Sequence, residues 1–411
     1  MTRLPAAYRR LQAAAIVDNV GDGAAAAAVP LLAVALTRDP RLVGLVSAAT
    51  TVPWVLLSLP AGALVDRHDR AALMWRAQAA QAVAAGLLAV AVALGAASIP
   101  LLAVAAFVLG AGEVVFGNAA LAILPGLVPA ADLHRANGRQ FAATTTARTF
   151  AGPPVGSLLF AVAAALPFGL DALSFAGSAA LLAGLPRGAP AAPGAPLGRA
   201  VVEGLRWLGR HPLLRTLAAL LAVNLFCFQL ANVTLVLLAT RELHLGARAF
   251  GLLPAASAVG GVAGGLAGHR VAARLGTLPT VLVALAGPIP AYLAAGAVLH
   301  PYAIMVLLLI ISFFASMWSV ATVSLRQTVV PAGLLGRVNA VYRMLSLGLA
   351  PLGALAGGFV AHDLGVRAAY PIAGMVRGGA LLIALPVLLR VRRRARSTGR
   401  AGRRRADPSG P

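Results

Sequence analysis

Twelve apolar stretches of about 20 residues or more, separated by short runs rich in glycine, proline and arginine, leave this chain one folding medium, the lipid bilayer. A helix crosses the hydrocarbon core in about 20 apolar residues and satisfies its own backbone hydrogen bonds there. Transmembrane strands would instead leave alternating segments of about ten residues, and the sequence has none. With 60% of the 411 residues hydrophobic and only 11% charged, a soluble globular fold is excluded. The expectation is an all-α membrane protein.

The stretches fall near 11–36, 42–65, 72–96, 101–127, 139–164, 166–185, 213–238, 249–273, 278–299, 302–325, 341–361 and 368–389. The first is too long for a signal-peptide core and is read as a retained span. Domain bounds follow: a six-helix bundle over 1–185, a cytoplasmic linker over 186–212, a second bundle over 213–389 and a basic cytoplasmic tail over 390–411. In the linker, Arg199, Glu203, Arg206 and Arg210 fall on one helical face, opposite Val201, Leu205 and Leu208. A connector role is favoured over a helix lying flat on the membrane. The tail reads as disordered and surface-hugging.

A net charge of +22 invites a nucleic-acid reading, but the arginines mark topology instead. With the amino terminus inside, 27 arginines face the cytoplasm and five face outward, which places both termini in the cytoplasm. The absence of lysine and the alanine richness suit a GC-rich bacterial genome and a plasma-membrane location. Without lysine the chain has no Walker A phosphate loop. No Ser/His/Asp set or metal-ligand cluster is present either, so no catalytic residue, cofactor or metal is expected and the chain is not read as an enzyme. Cys227 is alone and forms no internal disulfide.

An internal repeat organises the rest. Val128-Pro129-Ala130 with Leu133, Arg135 and Asn137 recurs as Val330-Pro331-Ala332 with Leu335, Arg337 and Asn339, at an offset of 202 residues. Gly62 and Leu64 recur at the same offset as Gly264 and Leu266. Two parallel six-helix repeats are how many secondary transporters enclose a site near the bilayer midplane.

The turn after span two, Gly62-x-Leu64-x-Asp66-Arg67-x-x-Arg70, and Gly152-Pro153-x-x-Gly156 in span five resemble the major facilitator superfamily. Leu59 to Arg67, Ser324 to Gln327 and Gly336 to Arg343 resemble its bacterial enterobactin-exporter and drug-exporter branch. The resemblance implies the major facilitator fold and a conformational latch of Gly62, Asp66, Arg67 and Arg70, with Asp66 near the start of span eleven. It also implies an antiporter-type motif at Gly152, Pro153 and Gly156. Asp69 replaces a usual glycine, Ser157 replaces another, and the second-half copy of the latch has Gly268 where Asp66 stands. The latch is therefore expected to be one-sided.

Six charged residues lie within spans, and each needs a partner or water. Asp18 and Asp22 share one face of span one; either is read as a carboxylate that exchanges protons as access alternates, or as a structural acid satisfied by Arg148. Glu113 and Arg148 form a buried ion pair or line the cavity. Asp171, near the outer end of span six, reads as structural. Arg377 has no acid in the spans of its own half, leaving an anionic substrate, snorkelling or a polar pocket to receive it. Asn118, Asn224, Gln229, Asn232 and Trp318 are neutral cavity candidates, with interhelical contacts the alternative role. The expected function is a proton-coupled exporter of small amphipathic molecules, with protons as the coupling ion, a small-molecule substrate, the lipid bilayer as surroundings and a monomeric state. The alternatives are a siderophore exporter of the same fold and, more remotely, a non-transporting membrane sensor.

Overall fold

The computed structural model describes residues 4–129, 132–186 and 197–405. Span one is Ala6–Leu36, span two Pro40–Arg67, span three Arg70–Ala93 and span four Ile99–Leu127. Span five is broken, running as Leu133–Thr145, a wide π-helical turn at Thr146–Ala151, and Gly152–Val162. Span six is Leu166–Ala183. After the linker helix Leu197–Arg210, span seven is Pro212–Glu242, span eight Ala247–Leu275, span nine Thr277–Ala295 and span ten Pro301–Val329. Span eleven is also broken, as Ala332–Gly348 and Ala350–Asp363, and span twelve is the membrane part of the helix Ala369–Arg405. Ten of these crossings are long and apolar enough to be recognised by length and composition, and the remaining two are the broken fifth and eleventh spans.

Local chemistry explains the starts. Asp39, Asp69 and Ser98 accept hydrogen bonds from Arg41, Ala72 and Leu101 backbone N–H groups, capping spans two, three and four. Proline in the first turn of spans two, four, seven and ten needs no N–H partner there. The turn between spans two and three is only His68 and Asp69, because Asp66 and Arg67 belong to the helix. Asp69, the departure from the usual glycine, serves as the cap of span three.

One expectation is corrected. The chain past span twelve continues as helix to Arg405 instead of a disordered tail, since arginine is a good helix former and no proline interrupts between Pro386 and Pro408. The linker helix, read as a connector, packs on span eleven: Gly204 meets the Arg337 carbonyl, Leu208 is buried, and Arg337 donates to Glu203 at 2.5 Å.

The two halves are built alike. Gly152 and Gly156 bring span five onto span one at Gly23 and Ala24, while Gly353 and Gly357 bring span eleven onto span seven at Phe226 and Leu230. In each case the glycines allow backbone-to-backbone contact. Fifteen positions separate Asn137 from Gly152 but fourteen separate Asn339 from Gly353. The extra residue of the first half is accommodated by the π-helical turn. Buried tyrosines pin the opposite ends of the same pairs: Tyr8 donates to the Ala136 carbonyl at 2.9 Å, and Tyr342 donates to the Leu214 carbonyl. Gly260, Gly264 and Gly268 of span eight seat it on Leu309, Phe313 and Met317 of span ten.

One apolar core joins both halves on the face away from the termini, through Ala27 to Ala33, Val43 to Ala48 and Cys227 to Ala239. On the terminal face each half has a separate core, around Tyr8 and Met74 in the first and around Leu214 and Trp318 in the second. The halves are thus fused on the far face and part toward the terminal face.

Candidate functional site

The π-helical turn places Arg148 where span five is widest, and the Gly23–Gly152 approach brings that turn against span one. Both Arg148 contacts use one terminal nitrogen: Arg148 Nη1 donates to Glu113 Oε1 of span four and lies 3.4 Å from Asp22 Oδ2 of span one. The arginine side chain remains 44% accessible because it opens on a cavity of about 350 Å³. Asp22, Glu113, Arg148 and Asp171 line this cavity from the first half, and Gln229 and Asn232 of span seven line it from the second. One guanidinium therefore faces a site containing three carboxyl groups.

A fourth carboxyl stands one turn away. Asp18 is 3% exposed and its Oδ1 accepts from Gln78 Nε2 at 2.9 Å, so span three and not Arg148 supplies its direct partner. Asp171, expected to be structural, is 1% exposed, and its Oδ1 has no hydrogen-bond partner among the described residues. It belongs with the cavity acids because Gly21 leaves room for it: a Cβ there would stand 2.7 Å from Asp171 Oδ1. The glycine beside the acids of span one was the legible trace of this neighbour.

The remaining cavity candidates divide. Asn224, Trp318 and Arg377 line a separate cavity of about 220 Å³ lying wholly in the second half. Asn118 lines neither; its side chain donates to the Val114 carbonyl of its own helix at 2.8 Å. Arg326 lines the second cavity from the last turn of span ten, where charge counting alone treats it as a topology marker.

At the turn after span two, Gly62 is half-buried and Arg70 Nη1 donates to the Ala122 carbonyl of span four at 2.8 Å. Asp66 and Arg67 are exposed, and among the described residues Asp66 has no hydrogen bond or ion pair. Pro153 lines the first cavity, and Gly152 and Gly156 make the span-one contact. Ser157, in place of the usual glycine, is fully buried against Gly251 of span eight, so the missing glycine is supplied from the other half.

The far face is closed by backbone. A Cβ on Gly44 of span two would stand 2.9 Å from the Ala354 carbonyl oxygen of span eleven, and one on Gly358 would stand 2.8 Å from the Pro40 carbonyl oxygen. Polar contacts surround this seal: Arg241 donates to the Arg38 carbonyl at 2.9 Å, Arg367 pairs with Glu242 at 2.9 Å, and His362 Nδ1 lies 3.7 Å from Asp39. Hydrogen bonds from the Arg41 side chain and backbone hold the Asp39 carboxyl down at about 2, so it stays charged at any ordinary pH.

Twelve spans in two six-helix halves, enclosing a polar cavity to which both halves contribute, define a transporter of the major facilitator superfamily. More narrowly, the chain belongs to the transmembrane secretion effector family, whose model matches residues 4–404. Among curated proteins no sequence matches significantly. Solved structures share the fold: a mutant of the nucleoside transporter NupG is 10% identical, with 93% of this chain and 99% of that chain covered and a TM-score of 0.74. A bacterial homologue of the human lysosomal transporter Spinster, inward-facing and occupied, is 16% identical over 94% and 96% of the two chains, with a TM-score of 0.71. A bacterial homologue of the iron transporter ferroportin in its inward-facing state is 18% identical over 91% and 98%, with a TM-score of 0.69.

Proposed function

We propose that the chain is a proton-coupled exporter of small amphipathic molecules, working by alternating access in a bacterial plasma membrane and related to the enterobactin and drug exporters. The observation that carries this is the shared arginine: Arg148 is held by Glu113 and Asp22 through one nitrogen, beside Asp171, in a cavity that reaches the other half. A proton taken up by Asp22 leaves Arg148 to Glu113 alone, and its release restores the three-membered cluster. Proton binding and the geometry of the cavity wall are then linked through a residue that both require. Asp18, bonded to Gln78, is the second proton-coupling candidate.

The excess of arginines on the terminal face supports placing it in the cytoplasm. The structure then corresponds to a state closed to the outside, and the exposed Asp66 to a latch that has let go of span eleven. In the opposite state Asp66 would approach the first turn of span eleven, where a helix dipole favours a negative charge by about 0.3–1 kcal/mol.

The test uses the strongest thermal-shift ligand from a panel of amphipathic compounds. Adding it to detergent-purified wild type should release protons, and Asp22→Asn should release none. Unchanged release together with normal transport by Asp22→Asn would reject the role of Asp22. A siderophore exporter is the second reading, favoured by the cavity arginines Arg148 and Arg377; a preference for catecholate or hydroxamate ligands in the same panel would select it.

A further inference from the structure

Apart from Glu242, which pairs with Arg367, and Asp363, both at outer ends, the spans of the second half contain no aspartate or glutamate, yet two arginines line a cavity there. Arg377 of span twelve is 8% exposed and Arg326 of span ten is half-buried. Their internal partners are aromatic rings. Arg377 lies 5.1 Å from the centre of the Tyr292 ring, and Arg326 lies 4.5 Å from the centre of the Tyr342 ring. Ring faces attract a cation but do not neutralise it.

Three buried donors beside this space lack an acceptor among the described residues: Nε of Arg377, Nε of Arg326 and the indole Nε1 of Trp318. A buried charge without a counter-charge, together with buried donors left unpaired, is costly unless something else supplies the negative end. The rest of the lining is apolar at Leu221, Leu225, Phe228, Ile311 and Val323 and polar but uncharged at Asn224, Ser312, Ser319 and Thr322. The cavity thus pairs a cationic, donor-rich region with a greasy one. It shares no lining residue with the acidic cavity of the first half.

We propose that this cavity binds the oxyanion of an amphipathic organic molecule, a carboxylate or a phosphate, at Arg377, with Arg326 adding a second cation and the apolar walls receiving the carbon skeleton. The proposal deepens the exporter reading by naming the charged group of the substrate, but binding at this site requires neither proton coupling nor a direction of transport. A free organic acid and an anionic lipid headgroup carry the same chemistry.

The probe is 2-naphthoate, with the isosteric neutral 2-naphthamide as its control, titrated calorimetrically into purified protein in maltoside at pH 7.5. Wild type should bind the acid at least tenfold more tightly than the amide. Arg377→Gln and the less buried Arg326→Gln should each reduce that preference several-fold, and Arg377→Lys should retain part of it. Equal affinities for acid and amide in wild type, or a preference that survives both glutamine variants, would overturn the proposal. If Arg377→Gln fails to fold, Arg326→Gln decides alone. Repeating the titration in phosphatidylcholine nanodiscs with and without phosphatidylglycerol assigns the source: competition by phosphatidylglycerol identifies the headgroup, and undiminished naphthoate binding identifies the free acid. Because binding is read without transport, a negative result here leaves the Asp22 proton-release test standing, and the reverse also holds.

Discussion

The two halves share a backbone plan and divide the charge between them. Among buried or cavity-lining charges the first half holds Asp18, Asp22, Glu113 and Asp171 with Arg148, whereas the second holds Arg326 and Arg377 and no acid. In the first half a cation is shared among carboxyl groups; in the second, arginines rest on tyrosine rings. The contrast teaches that a repeated fold fixes where helices meet without fixing what their cavities bind. Helix contacts depend on small residues and backbone, and those recur in both halves. Cavity chemistry depends on a few side chains, and those do not.

The largest effect should come from removing the cation of the first half. Arg148→Gln leaves Glu113 and Asp22 facing each other without their shared partner, so transport should fall to background and the thermal midpoint should drop. Breaking a buried pair from one side costs about 3–5 kcal/mol, and the open cavity places this site toward the lower end. The double variant Arg148→Gln/Glu113→Gln should recover much of the midpoint and none of the transport. Recovery of transport would show that the cluster is only structural.

The seal between the halves comes next. Gly358→Leu places a branched side chain against the Pro40 carbonyl and the backbone of Gly44, an overpacking that costs about 1–3 kcal/mol. Because that contact exists only while the far face is closed, the variant should shift the population toward the opposite state. Distances between spin labels on the far ends of spans two and eleven should lengthen. An unchanged distance distribution would mean that the seal is set elsewhere.

Asp66→Asn should reduce transport several-fold while leaving insertion and thermal midpoint near wild type, since the aspartate has no described partner in this state. The cost should appear only on closing the terminal face; wild-type rates in correctly inserted protein would remove Asp66 from the cycle. The smallest effect is expected for Glu203→Gln, which breaks the exposed pair with Arg337 that ties the linker helix to span eleven. Surface pairs contribute about 0.2–1 kcal/mol, so a change in midpoint larger than a few degrees would show that the linker carries more of the second half than its contacts suggest.

Much of the architecture was legible because the bilayer imposes a length on every span and a cost on every misplaced charge. The crossings and the six intramembrane charges follow from those two facts, and the repeat from residues that recur 202 positions apart. The site was less legible, because spacing along one helix does not say which neighbour an acid meets. Asp171 stands near a span end in sequence, yet span packing sets it beside Gly21 in the cavity wall. Arg326 counts as a loop charge until span ten proves to extend to Val329. The π-helical turn escaped periodicity analysis for a related reason: one added residue leaves an apolar stretch apolar.

That added residue also limits how far the halves are interchangeable. An added residue would turn the rest of an α-helix by about 100°, and the wide turn at Thr146–Ala151 absorbs it as a local bulge that span eleven does not have. A chimera carrying span eleven in place of span five would seat its glycines on span one but lack the wide turn that carries Arg148 to Glu113 of span four. Gene duplication can supply two equal bundles, but after a single-codon insertion each becomes a part that fits only its own place.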